Sequence, residues 1–103
     1  MTKRIATLVL AALIVGPASA QEGNVTHGAE VAKNFCAKCH DISVNGPMKQ
    51  HPPAFAAIAR FRPEAQIRTS IWFPVLHDGM PQVINILNRQ SVADLTAYIL
   101  SLE

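Results

Sequence analysis

The chain has no strong charge of one sign, no second pair of cysteines, no internal repeat and no low-complexity tract. The missing cysteine pair argues against a four-thiol zinc site. The weak charge argues against a nucleic-acid surface, which needs clustered Lys and Arg. No stretch alternates convincingly between apolar and polar residues, so no strand is expected. The longest apolar run, Ile5 to Val15, falls well short of the ~20 residues that cross a bilayer, and no permanent membrane span is expected.

That run is informative for another reason. Lys3 and Arg4 precede it, Gly16-Pro17 breaks it, and Ala18-Ser19-Ala20 closes it with a small-x-small pattern. This is the layout of an export signal. Residues 1–20 are therefore expected to be a cleaved signal peptide, leaving a single domain over 21–103 in the periplasm. The whole chain carries a formal charge of +2, but Lys3 and Arg4 account for it. The remaining Lys33, Lys38, Lys49, Arg60, Arg62, Arg68 and Arg89 are balanced by Glu22, Glu30, Asp41, Glu64, Asp78, Asp94 and Glu103. A partner would then dock on a local patch rather than be steered by a global field.

The two cysteines lie in Cys36-Ala37-Lys38-Cys39-His40. C-x-x-C-H is the covalent attachment signature of c-type haem. Two thiols three positions apart share one side of a helical turn and can reach two vinyl groups of one porphyrin. His40 follows at once as a proximal iron ligand. A C-x-x-C can also be a redox dithiol, half a metal site or a plain disulfide. The histidine directly after the second cysteine argues against all three.

The rest of the chain reads as helices. Thr26 suits an N-cap, with a first helix from about His27 into Lys38 and Val31, Ala32 and Phe35 on its apolar side. A loop over 41–53 carries Asn45-Gly46-Pro47 and Pro52-Pro53. A short apolar helix follows over 54–61. A third starts after Pro63, carries Ile67, Ile71 and Trp72, and stops at Pro74. The segment 82–90 reads equally as a helical turn or a buried extended run. Ser91 and Asp94 suit a capping box for a last helix striped by Val92, Leu95, Ile99 and Leu102. So small a domain is expected to need its cofactor to stay folded.

Together these residues resemble the small class I c-type cytochromes, the bacterial monohaem cytochrome c family. The resemblance rests on Cys36-x-x-Cys39-His40, on Met80-Pro81 before the last helix, and on Leu95-x-x-Tyr98 within it. Gly28, eight residues before Cys36, matches a small residue that lets the first and last helices approach. Pro53-Ala54-Phe55 with Ile58-Ala59 resembles the segment after the haem motif, and Trp72 a tryptophan against the haem edge. The chain departs from the pattern at Ala32, where the family often has an aromatic, and in a longer loop from His40 to Pro53.

The resemblance implies an all-α cytochrome c fold, three to five short helices wrapped around one haem c bound through Cys36 and Cys39. It implies His40 and Met80 as iron ligands, a proline carbonyl bonded to His40, and redox proteins as partners. Pro53 and Pro47 both offer that carbonyl, and Pro53 has the matching flank. Met80 sits between Gly79 and Pro81, a poor place for a filler side chain. Met48, His77, His51 and His27 are the other candidates for the second ligand, with His77 the sharpest rival. Iron held by two side chains has no open position, so the expected role is one-electron transfer rather than enzymatic turnover. Three roles stay open: a free electron shuttle, a small cytochrome subunit of a dehydrogenase or oxidase complex, and a haem enzyme or gas sensor with a labile second ligand. The sequence offers no distal Arg–His pair of the kind a peroxidase needs.

Overall fold

The computed structural model describes residues 2, 9–12, 23–46, 51–74, 80, 83 and 85–103. Among these residues four helices form in order: α1 Val25–Phe35, α2 Phe55–Phe61, α3 Glu64–Trp72 and α4 Arg89–Leu100. There is no β-strand among the described residues. None of their helices is long and apolar enough to cross a membrane.

The helix starts follow local chemistry, with two shifts from the sequence expectation. α1 begins two residues earlier than read, because Asn24 rather than Thr26 caps it; the Asn24 side chain accepts from the His27 N–H at 3.0 Å. α4 also starts earlier. Asn88 caps it by accepting from the Ser91 N–H at 2.8 Å, so the Ser91–Asp94 capping box does not form. α3 starts as read, after Pro63, with Glu64 in the first turn and an exposed Arg68–Glu64 pair one turn apart. Such a surface pair contributes at most about 0.5 kcal/mol. Of the ambiguous stretch 82–90, residues 82 and 84 lie outside the described residues, and 85 and 86 form a turn rather than an extended run. Ile86 and Leu87 both donate backbone bonds to the Val83 carbonyl, burying Val83 and Leu87 and leaving Ile86 exposed.

α4 is the hub. α1 crosses it, and α2 and α3 lean on it. One core joins Val31 and Ala32 of α1, Phe55 and Ala59 of α2, Ile67 and Ile71 of α3, Val83, Leu87, and Val92, Leu95 and Ile99 of α4. The expected α4 stripe is buried through Ile99, with Leu102 half-buried against it. Phe61 is 63% exposed. It follows Phe55 by six residues, about a third of a turn off the buried face. Phe35, placed by periodicity on the apolar side of α1, is also largely exposed.

The α1–α4 crossing depends on missing side chains. A Cβ on Gly28 would sit 2.0 Å from the Asp94 carbonyl oxygen and 2.8 Å from Tyr98 Cβ. Gly23, just before the N-cap, repeats the arrangement one residue back along α4, with Ala93 O at 2.1 Å and Ala97 Cβ at 2.7 Å. A larger residue at Gly28 must push the two helices apart, and one at Gly23 must shift the lead-in to α1.

Asp94 then locks the crossing. It is only 2% exposed. One carboxylate oxygen accepts from the Asn24 backbone N–H and from the Gln90 side chain, each at 2.7 Å; the other accepts from His27 Nδ1 at 2.5 Å. A carboxylate only accepts, so that nitrogen carries the proton. Burial raises the carboxyl pKa, but the bonds from Asn24, Gln90 and His27 outweigh it and hold Asp94 below the usual carboxylate range. A charge at this depth persists because its acceptor oxygens are bonded.

A candidate haem-attachment site

The C-x-x-C-H pentapeptide forms the turn that ends α1. Cys36 and Ala37 both return their N–H groups to the Ala32 carbonyl, at 2.9 and 3.0 Å. The turn then winds once more on itself, with Cys39 and His40 donating to the Cys36 carbonyl. The helix read as continuing into Lys38 therefore stops at Phe35, but the local winding continues through the motif. Both cysteines are free thiols; Cys36 is half-buried against the core and Cys39 is exposed. Burial pushes the Cys36 thiol up to about 11, so it stays protonated at neutral pH.

His40 is half-buried and its orientation is fixed. Its Nδ1 lies 2.7 Å from the Pro53 carbonyl oxygen. A carbonyl only accepts, so Nδ1 carries the proton and Nε2 keeps its lone pair. The Phe55 ring sits beside the imidazole, centroids 5.2 Å apart and tilted by 46°. The chain reaches this arrangement by folding back: Phe55 donates its N–H to the Asp41 carbonyl at 2.9 Å. Asp41 also turns the loop locally, its carboxylate accepting from both the backbone and the hydroxyl of Ser43. A second tie comes from α4, where the Tyr98 hydroxyl donates to the Ile42 carbonyl at 2.5 Å.

Of the residues singled out from sequence, Cys36, Cys39, His40 and Pro53 come together here. Between the two prolines considered for the His40 partner, the observed bond goes to Pro53; Pro47 lies outside the described residues. Trp72 closes α3 half-buried, packed against the core. Met80 is half-buried, and most of its chain neighbours, 75–79, 81 and 82, lie outside the described residues. Met48 and His77 lie outside them too. His51 is exposed. His27 is exposed too, and its ring is tied to Asp94 at the start of α1.

Three features of this region were not read from the sequence. Asn24, Gly23 and the Tyr98 hydroxyl all act across the α4 contact. Only the spacing of Asn24 three residues before His27 is a local signal that could have marked the cap.

No disulfide joins the two thiols. No group of three or more His, Cys, Asp or Glu side chains is placed to hold a metal ion among the described residues. The family model for cytochrome c matches residues 25–103. This chain belongs to the cytochrome c family.

The chain is 37% identical over 87 residues to a cytochrome c-552 from Bradyrhizobium diazoefficiens, covering 82% of this chain and 80% of that one. A shorter match, 40% identical over 38 residues, links it to a cytochrome c2 from Pararhodospirillum photometricum, covering 37% of this chain and 34% of that one. No solved structure matches the chain significantly. A cytochrome c carries covalently attached haem c, and with one C-x-x-C-H this chain takes one haem. The residues fit that group. Two free thiols stand on one turn, and the adjacent imidazole has its Nδ1 proton engaged and its Nε2 available.

Proposed function

We propose that this cytochrome c is a periplasmic one-electron carrier, exported by a signal over residues 1–20, with its haem joined to Cys36 and Cys39 and its iron held by His40 and Met80. The observation that carries the reading is the bond from His40 Nδ1 to the Pro53 carbonyl. It fixes the tautomer and makes the opposite ring nitrogen the more basic, as metal-binding imidazoles require. Bound there, the haem supplies the ferrous/ferric couple.

The chain's own residues do the rest. Cys36 and Cys39 hold the group in place, and His40 is kept from rotating by Pro53 on its nitrogen and Phe55 at its ring. Met80 completes the ligand pair, and its thioether favours the ferrous state and raises the potential. With His40 and Met80 both given to the iron, no open position would remain for substrate, and the role would be electron transfer rather than turnover. A fixed ligand set also changes little between oxidation states. The matched family region, 25–103, leaves the export segment outside it. Lys33 and Lys38 are exposed on either side of Cys36 and suit a docking rim for a redox partner.

The test is an optical spectrum of the exported protein, oxidised, reduced and reduced under carbon monoxide. A low-spin spectrum with the weak far-red sulfur-to-iron band and no carbon monoxide response is expected. Low-spin haem lacking that band would replace Met80 with a nitrogen ligand, His77 first. A carbon-monoxide-reactive spectrum would sink the electron-carrier reading in favour of an open site.

A further inference from the structure

We propose that Tyr98 is a positioning residue for His40, holding the proximal imidazole in register from the far side of the fold. The inference rests on the reading of His40 as the iron ligand. Its basis is a short path of bonds. The Tyr98 hydroxyl, on α4, donates to the carbonyl of Ile42, two residues beyond His40. The preceding residue, Asp41, gives its carbonyl to the Phe55 N–H. Phe55 lies two residues after Pro53, whose carbonyl receives the His40 Nδ1 proton, and its ring flanks the imidazole. The segment leaving the haem motif is thus fixed on one side by the approach to α2 and on the other by this hydroxyl of α4.

The Tyr98 methylene faces Gly28 at the α1–α4 crossing, where an added Cβ would lie 2.8 Å from it. The hydroxyl acts elsewhere, on Ile42, and removing it alone leaves the methylene and the crossing in place. Without it, the 41–42 backbone loses its anchor on α4, and the His40–Pro53 bond opens more often. A weaker bond makes Nε2 less basic, which stabilises ferric iron less.

The experiment compares the wild-type holoprotein with Tyr98→Phe and with Ile99→Val, which thins the same helix's core and leaves the hydroxyl in place. The readouts are solvent exchange of the His40 Nδ1 proton by NMR and the reduction potential. In Tyr98→Phe, exchange at least about tenfold faster and a raised potential are expected, while Ile99→Val moves neither. Unchanged exchange and potential in Tyr98→Phe, or equal changes in both variants, would overturn the proposal. A second measurement needs no substitution: in the wild type, the Tyr98 hydroxyl proton and the His40 ring proton should exchange through one opening with the same denaturant dependence. Separate openings would overturn it even if Tyr98→Phe failed to fold. A wild-type protein without low-spin haem would sink the functional reading instead, before any variant is made.

Discussion

The α1–α4 crossing and the His40 turn solve the same problem with opposite materials. At the crossing, the deciding atoms belong to side chains or to their absence: the Asp94 carboxylate and the bare Cα atoms of Gly23 and Gly28. At the turn, the acceptors are main-chain carbonyls of Asp41, Ile42 and Pro53. A carbonyl survives substitution of its residue, whereas a carboxylate or a missing Cβ does not. The crossing should therefore be fragile at many positions. The turn should be fragile chiefly at its donors and at the groups that bind the haem.

The largest effect expected is loss of the haem itself. Cys36→Ser with Cys39→Ser should leave a largely unfolded chain, because so small a core lacks the apolar surface to stand alone. Circular dichroism and a thermal melt check this. A native-like helical spectrum with a cooperative melt would show that the crossing suffices without the cofactor.

Next comes Gly28→Val. A branched side chain aimed at backbone 2.0 Å away cannot be absorbed by rotamer changes. The cost should reach about 3 kcal/mol or more, read from urea midpoints of the holoprotein. A loss under about 1 kcal/mol would mean that the helices do not approach as closely as the glycines suggest.

Asp94→Ala should follow, at about 1–2 kcal/mol, since it strands the part-buried Asn24 N–H. Its pH dependence has a definite sign. The folded-state pKa of Asp94 lies below its unfolded value, near 3.9. The stabilisation is therefore fully present above that value and is lost as pH falls through the lower folded one. The stability gap between wild type and Asp94→Asn should be constant near neutrality and shrink below about pH 4. A gap that shrinks already between pH 7 and 5 would place the titration elsewhere.

The smallest effect is expected at Pro53→Ala. The carbonyl stays, so the His40 ring proton should remain protected and stability should change by about 1 kcal/mol or less. A large loss of protection would mean that the ring of Pro53, not only its carbonyl, holds the turn.

Much of the site was legible in the sequence because its parts are close along the chain. Cys36, Cys39 and His40 are contiguous, and their chemistry follows from residue type and spacing. Pro53 could be nominated from its flank, and the 2.7 Å bond shows the partner that His40 adopts. Helix existence was also legible, from apolar spacing at Val92, Leu95 and Ile99 and from Pro63 at a helix start. Asp94 was not. By local rules it suits a capping box with Ser91, and only the arrival of α1 beside it brings the Asn24 N–H and His27 to join Gln90 of its own helix. Asn24 shifts the start of α1 for the same reason, since its backbone is held from α4.

The sequence by itself determined the chemistry that can occur: two thiols and an imidazole on one turn, within a chain of short helices. Those features depend on neighbours a few residues apart, within reach of helical periodicity and bond geometry. The tertiary structure decided which polar groups meet across 56 to 70 residues of chain, as Tyr98 meets Ile42 and Asp94 meets Asn24. Such pairings depend on how whole helices pack, and packing is a property of the assembled core rather than of any segment within it.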